Sequence, residues 1–235
     1  MAEARFPGIS PDSMWLLAEN RFHDSREFYE QHKPRIRREI IEPLRALLAE
    51  LAPAVLAIDP QIVVNPNANG CVSRVRRDNR YTHDRSMYRE NMWVAFLRDK
   101  KIWPCVPGFY ADIALKGSSW GMGFYNATPA YMQALRKRID ADPAPILKAA
   151  RQAADAGFSI CGERYARPKG QGLPPLLDEL YNRRNLDFTI ETADPAFFGG
   201  HEMADTLERG FRALAPMYRV LIRIAEEELE KQPRG

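Results

Sequence analysis

The chain has 235 residues, 45% hydrophobic and 28% charged, which are ordinary globular values. It is long enough to bury a core without disulfides or a structural metal. A net charge of +3 excludes a general basic coat for nucleic acid, and no apolar run approaches the roughly 20 residues that span a bilayer.

Met1–Phe6 carries no apolar signal region. Cys71, Cys105 and Cys161 have no CxxC spacing. The expectation is a reduced cytoplasmic protein with no membrane partner, no metal and no cofactor, its cysteines serving as small buried side chains. Nothing in the sequence specifies an oligomeric state.

In chain order, Pro11–Asn20 predicts a helix, with Ser10 as its cap and Met14, Leu17 and Ala18 as its apolar stripe. Asp24 followed by Glu27 fits a capping box at the start of the next helix. Apolar residues from Phe28 to Leu51 recur at helical spacing and carry it to about Ala52, with kinks or a break expected at Pro34 and Pro43.

From Ile62 the texture becomes that of strands. Ile62–Val64, Cys71–Arg76, Met92–Leu97, Gly108–Leu115 and Ser119–Tyr125 are short, rich in β-branched or aromatic residues and separated by Asn, Pro and Gly. No long helix connects them, so an antiparallel sheet is expected. Helices follow at Pro129–Ile139 and from Pro143 to about Ala156, with Gly157 as a stop. Phe158–Cys161 reads as a strand, Leu176–Tyr181 as a short helix and Leu186–Thr192 as another strand. A last helix runs from about Ala204 to Leu229, with a kink expected near Pro216. The four tryptophans, Trp15, Trp93, Trp103 and Trp120, are expected in the core or at its rim. The fold class is α+β: one domain over residues 1–235, with a mainly antiparallel sheet flanked by helices. Its ordered core covers about 6–229 and residues 230–235 fray.

The segment Ser73–Arg89 stands apart. It holds Arg74, Arg76, Arg77, Arg80, Arg85 and Arg89 against Asp78 and Asp84, a local excess of four positive charges in a nearly neutral chain. If it starts extended, a core-facing Val75 puts Arg74 and Arg76 together on the other side, where Arg80, Arg85 and Arg89 can converge. Crowded guanidiniums require anions, either protein carboxylates or an external phosphate or carboxylate. Asp78 with Arg80, and Asp84 with Arg85, are the local ion pairs. Tyr81 and Tyr88 offer planar walls. The candidate ligand-binding set is therefore Arg74, Arg77, Asp78, Arg80, Tyr81, Asp84, Arg85, Tyr88 and Arg89.

Three functions fit this segment. The first is binding of a small anionic ligand, with nucleic acid as a less favoured variant. The second is a hydrolase or transferase for a phosphorylated substrate, which would use His83 near Asp84, Ser86 and the tyrosines. The third is a structural or interaction protein whose arginines form an internal salt-bridge network. No nucleophile elbow, P-loop, HExxH or dinucleotide fingerprint is present. Gly121 and Gly123 point to a close backbone approach, with room for a ligand beside Tyr125. The loop Arg164–Gly172 is a solvated connection or a flap adding Arg164, Arg167 and Lys169 to the arginine cluster.

At these residues the chain resembles domain of unknown function 2461, a family of conserved hypothetical proteins. Its signature, approximately R-I-x-R-D-x-R-F-S-x-D-K-x-P-Y-K, is met by Arg74, Val75, Arg77, Asp78, Arg80, Tyr81, Thr82, Asp84, Arg85, Tyr88 and Arg89, while Met87 replaces its proline. Asn20, Arg26-Glu27-Phe28, Lys33, Gly108-Phe109-Tyr110, Gly121, Gly123, Tyr125 and Pro168-Lys169-Gly170 resemble further family patterns. The resemblance implies one domain and brings no activity or catalytic residue with it.

Overall fold

The structure, a computed structural model, describes residues 5–66, 70–80 and 83–231. Helix α1 (Pro11–His23) is capped by the Ser10 hydroxyl, which accepts the Ser13 N–H at 3.2 Å. Its buried side is Met14, Leu16, Leu17 and Asn20. Trp15, expected in the core or at its rim, lies off this stripe and is 58% exposed.

Helix α2 (Arg26–Ile36) is capped by Ser25, whose hydroxyl accepts the Phe28 N–H at 3.1 Å. The Asp24 capping box is thus corrected. Asp24 instead terminates α1 in the left-handed region, at φ 45°. A π-helical turn (Arg37–Ile41) follows, then α3 (Glu42–Ile58). Pro34 does not break the helix. Pro43 lacks an N–H and its ring would clash with the carbonyl four residues back, and the wide turn falls immediately before it. Helix α3 runs through Pro53 to Ile58, beyond the expected end, because Leu51, Ala54 and Val55 still bury their side chains.

The strands are β1 (Ile62–Val63), β2 (Asn91–Arg98), β3 (Gly108–Ala114), β4 (Ser118–Gly123), β5 (Ser159–Cys161) and β6 (Asp187–Thr192). They form one six-stranded sheet in the order β1-β2-β3-β4-β6-β5, antiparallel throughout. Helices α4 (Pro129–Ala141), α5 (Pro143–Asp155) and α6 (Pro175–Tyr181) precede α7 (Glu202–Glu230), which runs through Pro216. Glu230 ends α7 in helical conformation; of the tail expected to fray, 232–235 lie outside the described residues.

The sheet has two unlike faces. Met92, Val94, Phe96, Phe109, Ala111, Trp120, Met122 and Phe188 are buried in the core, where Phe109 and Phe211 of α7 approach to 5.0 Å between ring centroids. The alternate positions mix polar residues with aromatic and small ones. Trp93, Asp112, Ser119 and Glu191 form one cross-strand row, and Tyr110, Gly121 and Thr189 the next. A Cβ on Gly121 would lie 1.9 Å from the Phe188 carbonyl oxygen, and one on Gly123 1.9 Å from Asp187 Oδ1, so both glycines serve the expected close approach. Cys71 is buried, while Cys105 and Cys161 are only half-buried, against expectation.

An internal ion pair ties the sheet to the helices. Arg98 Nε donates to Asp59 at 2.6 Å, with both side chains 4% exposed, and the Tyr218 hydroxyl donates to the same carboxylate at 2.6 Å. Burial is the leading pressure on Asp59, yet these donors and the Gln61 N–H hold its carboxyl below the usual range.

Candidate functional site

Residues 71–77 pair with 87–95 but do not form the continuous strand expected over Cys71–Arg76. Isolated bridges join Val72 to Val94 and Arg76 to Tyr88. The Ser73 N–H donates to the Trp93 carbonyl at 2.9 Å, and the Arg89 N–H to the Val75 carbonyl at 2.9 Å. Between these two bonds Arg74 alone faces Glu90, Asn91 and Met92. The two extra residues make a bulge that interrupts the ladder and bends the arm. The Ser73 hydroxyl fills in for the lost backbone partner by accepting the Trp93 N–H at 2.8 Å. Val75 is buried and Arg74 and Arg76 are exposed, as the alternation requires.

The tip of this arm is held by α1 and α2. Asp24 Oδ1 accepts the Met87 N–H at 2.7 Å and the Tyr88 N–H at 3.2 Å. The Tyr88 ring, 4% exposed, stacks on Tyr29 with centroids 4.9 Å apart. Asp84 pairs with Arg77 at 2.7 Å and with Arg21 at 3.0 Å, not with Arg85. Its own loop turns it there, because the Ser86 hydroxyl and N–H both bond Asp84 Oδ1. Those two bonds, then Arg21 and Arg77, hold its carboxyl below the usual range.

All six arginines of the segment line one open cleft of about 820 Å³, together with Asp78, Asn79, Ser73 and Trp93. Asp78 engages Arg80 at 2.7 Å, which pulls its carboxyl down to about 2. Among the described residues no ion pair is formed by Arg76, Arg85 or Arg89. Arg89 Nε is buried without a hydrogen-bond partner. Asp112, across from Trp93 on β3, takes both bonds of the Asn91 amide at 2.9 Å; burial raises its carboxyl, against Asn91 and the charge of Arg89.

The profile of a family described as conserved hypothetical protein (DUF2461) matches residues 12–219. The chain belongs to this family. No curated protein and no solved structure matches it. Of the candidate residues in this DUF2461 chain, the structure brings Arg74, Arg77, Asp78, Arg80, Arg85 and Arg89 to one cleft. Asp84 and Tyr88 lie behind it and hold the arm, while Tyr81 falls outside the described residues. His83 is exposed and makes no hydrogen bond to Asp84 or Ser86, which bond each other. The Arg164–Gly172 flap is corrected. Arg164 pairs with Asp178 at 2.9 Å and with Glu179, and bridges to Arg183 beside β5, at the far edge of the sheet. Four strand spacings, about 19 Å, separate β2 from β5.

Sequence reasoning missed Arg21, Asp24 and Trp93. Trp93 was open to detection, because it occupies an outward position between Met92 and Val94. The other two act across 63 residues of chain and leave no local signal.

Proposed function

We propose that this DUF2461 protein binds a phosphate- or carboxylate-bearing ligand in the arginine cleft. The observation that carries the reading is a cleft lined by six arginines, of which Arg76, Arg85 and Arg89 form no ion pair among the described residues. Crowded cations without ion-pair partners favour an anion from outside, and Arg forks match phosphate and carboxylate oxygens. Arg77 and Arg80, compensated by Asp84 and Asp78, shape the wall. A cytoplasmic location belongs to the same proposal and fits three unpaired cysteines. No helix among the described residues is long and apolar enough to cross a membrane.

The test is thermal shift with tripolyphosphate and citrate on wild type and on Arg76→Ala/Arg89→Ala. At ligand about 100-fold above Kd, wild type gains about 2.7 kcal/mol of stability. The double variant should gain far less, and the wild-type gain should shrink in salt. Equal stabilisation of both proteins would place the anion elsewhere. No stabilisation by either compound would leave the arginines as part of the architecture.

A further inference from the structure

We infer that the ligand of the arginine cleft is a nucleoside polyphosphate, with its phosphates on the arginines and its base on Trp93. The inference rests on the anion-binding reading and adds the chemistry of the remaining part of the ligand. Three observations point there.

The first is size. About 820 Å³ lies within the range of sites for whole small molecules, ~300–1,000 Å³, and far exceeds what one phosphate fills. The second is charge. Arg76, Arg85 and Arg89 are three cations without ion-pair partners among the described residues, and a single phosphate monoester carries only about −1.5 to −2. A di- or triphosphate meets that demand.

The third is the wall. Trp93 is the only aromatic side chain lining the cleft among the described residues. Its backbone is fixed by two bonds to Ser73, whose hydroxyl accepts the Trp93 N–H and whose N–H donates to the Trp93 carbonyl. An indole on a pinned backbone is a ready stacking surface, and base stacking tolerates any base. Asp112, the neighbour of Trp93 in its cross-strand row, lies outside the cleft lining and has both oxygens taken by the Asn91 amide.

The same row weighs against a polynucleotide. Beyond Trp93 it continues through Asp112 and Ser119 to Glu191, so a phosphate chain leaving the cleft along the sheet meets carboxylates. The site ends where one nucleotide ends.

Isothermal titration of ATP, GTP, CTP, UTP, tripolyphosphate and a thymidine dodecamer into wild type, Trp93→Leu and Trp93→Phe tests this. Wild type should bind at least one nucleoside triphosphate about tenfold or more tighter than tripolyphosphate, the scale of one stacked base. Trp93→Leu should erase that ratio and keep the tripolyphosphate affinity, which also certifies its fold. Trp93→Phe should retain most of the ratio. Equal wild-type affinity for tripolyphosphate and all four nucleotides overturns this inference while the anion site stands. Binding of none of these compounds overturns both. A dodecamer that binds tighter than every nucleotide overturns it in favour of single-stranded nucleic acid.

Discussion

Asp24 accepts the backbone N–H of Met87 at 2.7 Å, joining the end of α1 to the far arm of the arginine hairpin across 63 residues. The same oxygen takes the Tyr88 N–H. A residue with positive φ therefore does two jobs: it terminates a helix and it satisfies two donors of a segment whose ladder is interrupted by a bulge. Replacing Asp24 by Ala leaves those donors without acceptors and keeps the unfavourable φ. The expected loss is about 1–3 kcal/mol of unfolding free energy, read by urea denaturation. Hydrogen exchange at Met87 and Tyr88 should accelerate more than in the sheet centre. Unchanged exchange at both amides would show that Asp24 does not hold the arm.

The Arg98–Asp59–Tyr218 cluster makes a second prediction. Arg98→Met strands a carboxylate whose side chain is 4% exposed and should cost about 3–5 kcal/mol in urea denaturation. Asp59→Leu with Arg98→Met should recover much of the loss, because the unpaired charge is gone. A single variant as stable as wild type would contradict this account.

Asp187 supplies a pH dependence. Burial pushes its carboxyl up to about 6, against Arg183 and the Phe124 N–H. The folded state thus holds this proton more tightly than the unfolded chain, whose ordinary value is 3.8. Its stabilising contribution is complete below that value and is lost as pH rises through about 6. Asp187→Asn cannot titrate. The melting temperature of the variant minus that of wild type should therefore increase from pH 4 to pH 7. A flat difference would mean that the carboxyl is not perturbed.

Asp78 moves the other way. Its bonds to Arg80, first the guanidinium and then the N–H, hold its carboxyl at about 2 rather than 3.8. The favourable effect of the pair is present above 3.8 and is lost as pH falls through about 2. Carboxyl-carbon NMR titration should find that low value in wild type. In Arg80→Ala it should return most of the way to the ordinary value. A carboxyl that stays low in the variant would assign the effect to the backbone N–H of residue 80, which alanine keeps, and to the charge of Arg74.

Local physics was legible in the sequence. Met92, Val94 and Phe96 alternate, and β2 follows; Ser10 and Pro11 open α1 where a cap and a first-turn proline belong. Val75 split the arginine segment correctly because burial of one apolar residue sets the phase of its neighbours. Adjacent residues of the same capping class were not resolved: Asp24 and Ser25 both suit an N-cap, and the hydroxyl took the position. Ion-pair partners were misassigned where a turn reverses the side chain, as in Asp84, which reaches Arg77 and Arg21 past its neighbour Arg85. The Arg164–Gly172 loop stayed open between a solvated connection and a flap because strand order is a property of the whole sheet and is invisible in any window of sequence.

The π-helical turn between α2 and α3 sets the length of the helical run to which the arginine arm is fastened. One residue of helix corresponds to about 100° of rotation. The wide turn takes up one extra residue over roughly the angle that four regular helical residues would sweep, so Tyr29 of α2 and Leu44, Leu47 and Leu48 of α3 keep their facing sides. Removing a single residue from 37–41 would restore a regular turn and leave Tyr29 stacked on Tyr88. Removing one residue of regular helix between Tyr29 and Arg37 would instead turn Tyr29 by about 100° and take away the ring on which Tyr88 stacks. The wide turn is thus a silent insertion, and the arginine arm depends on the regular turns on either side of it.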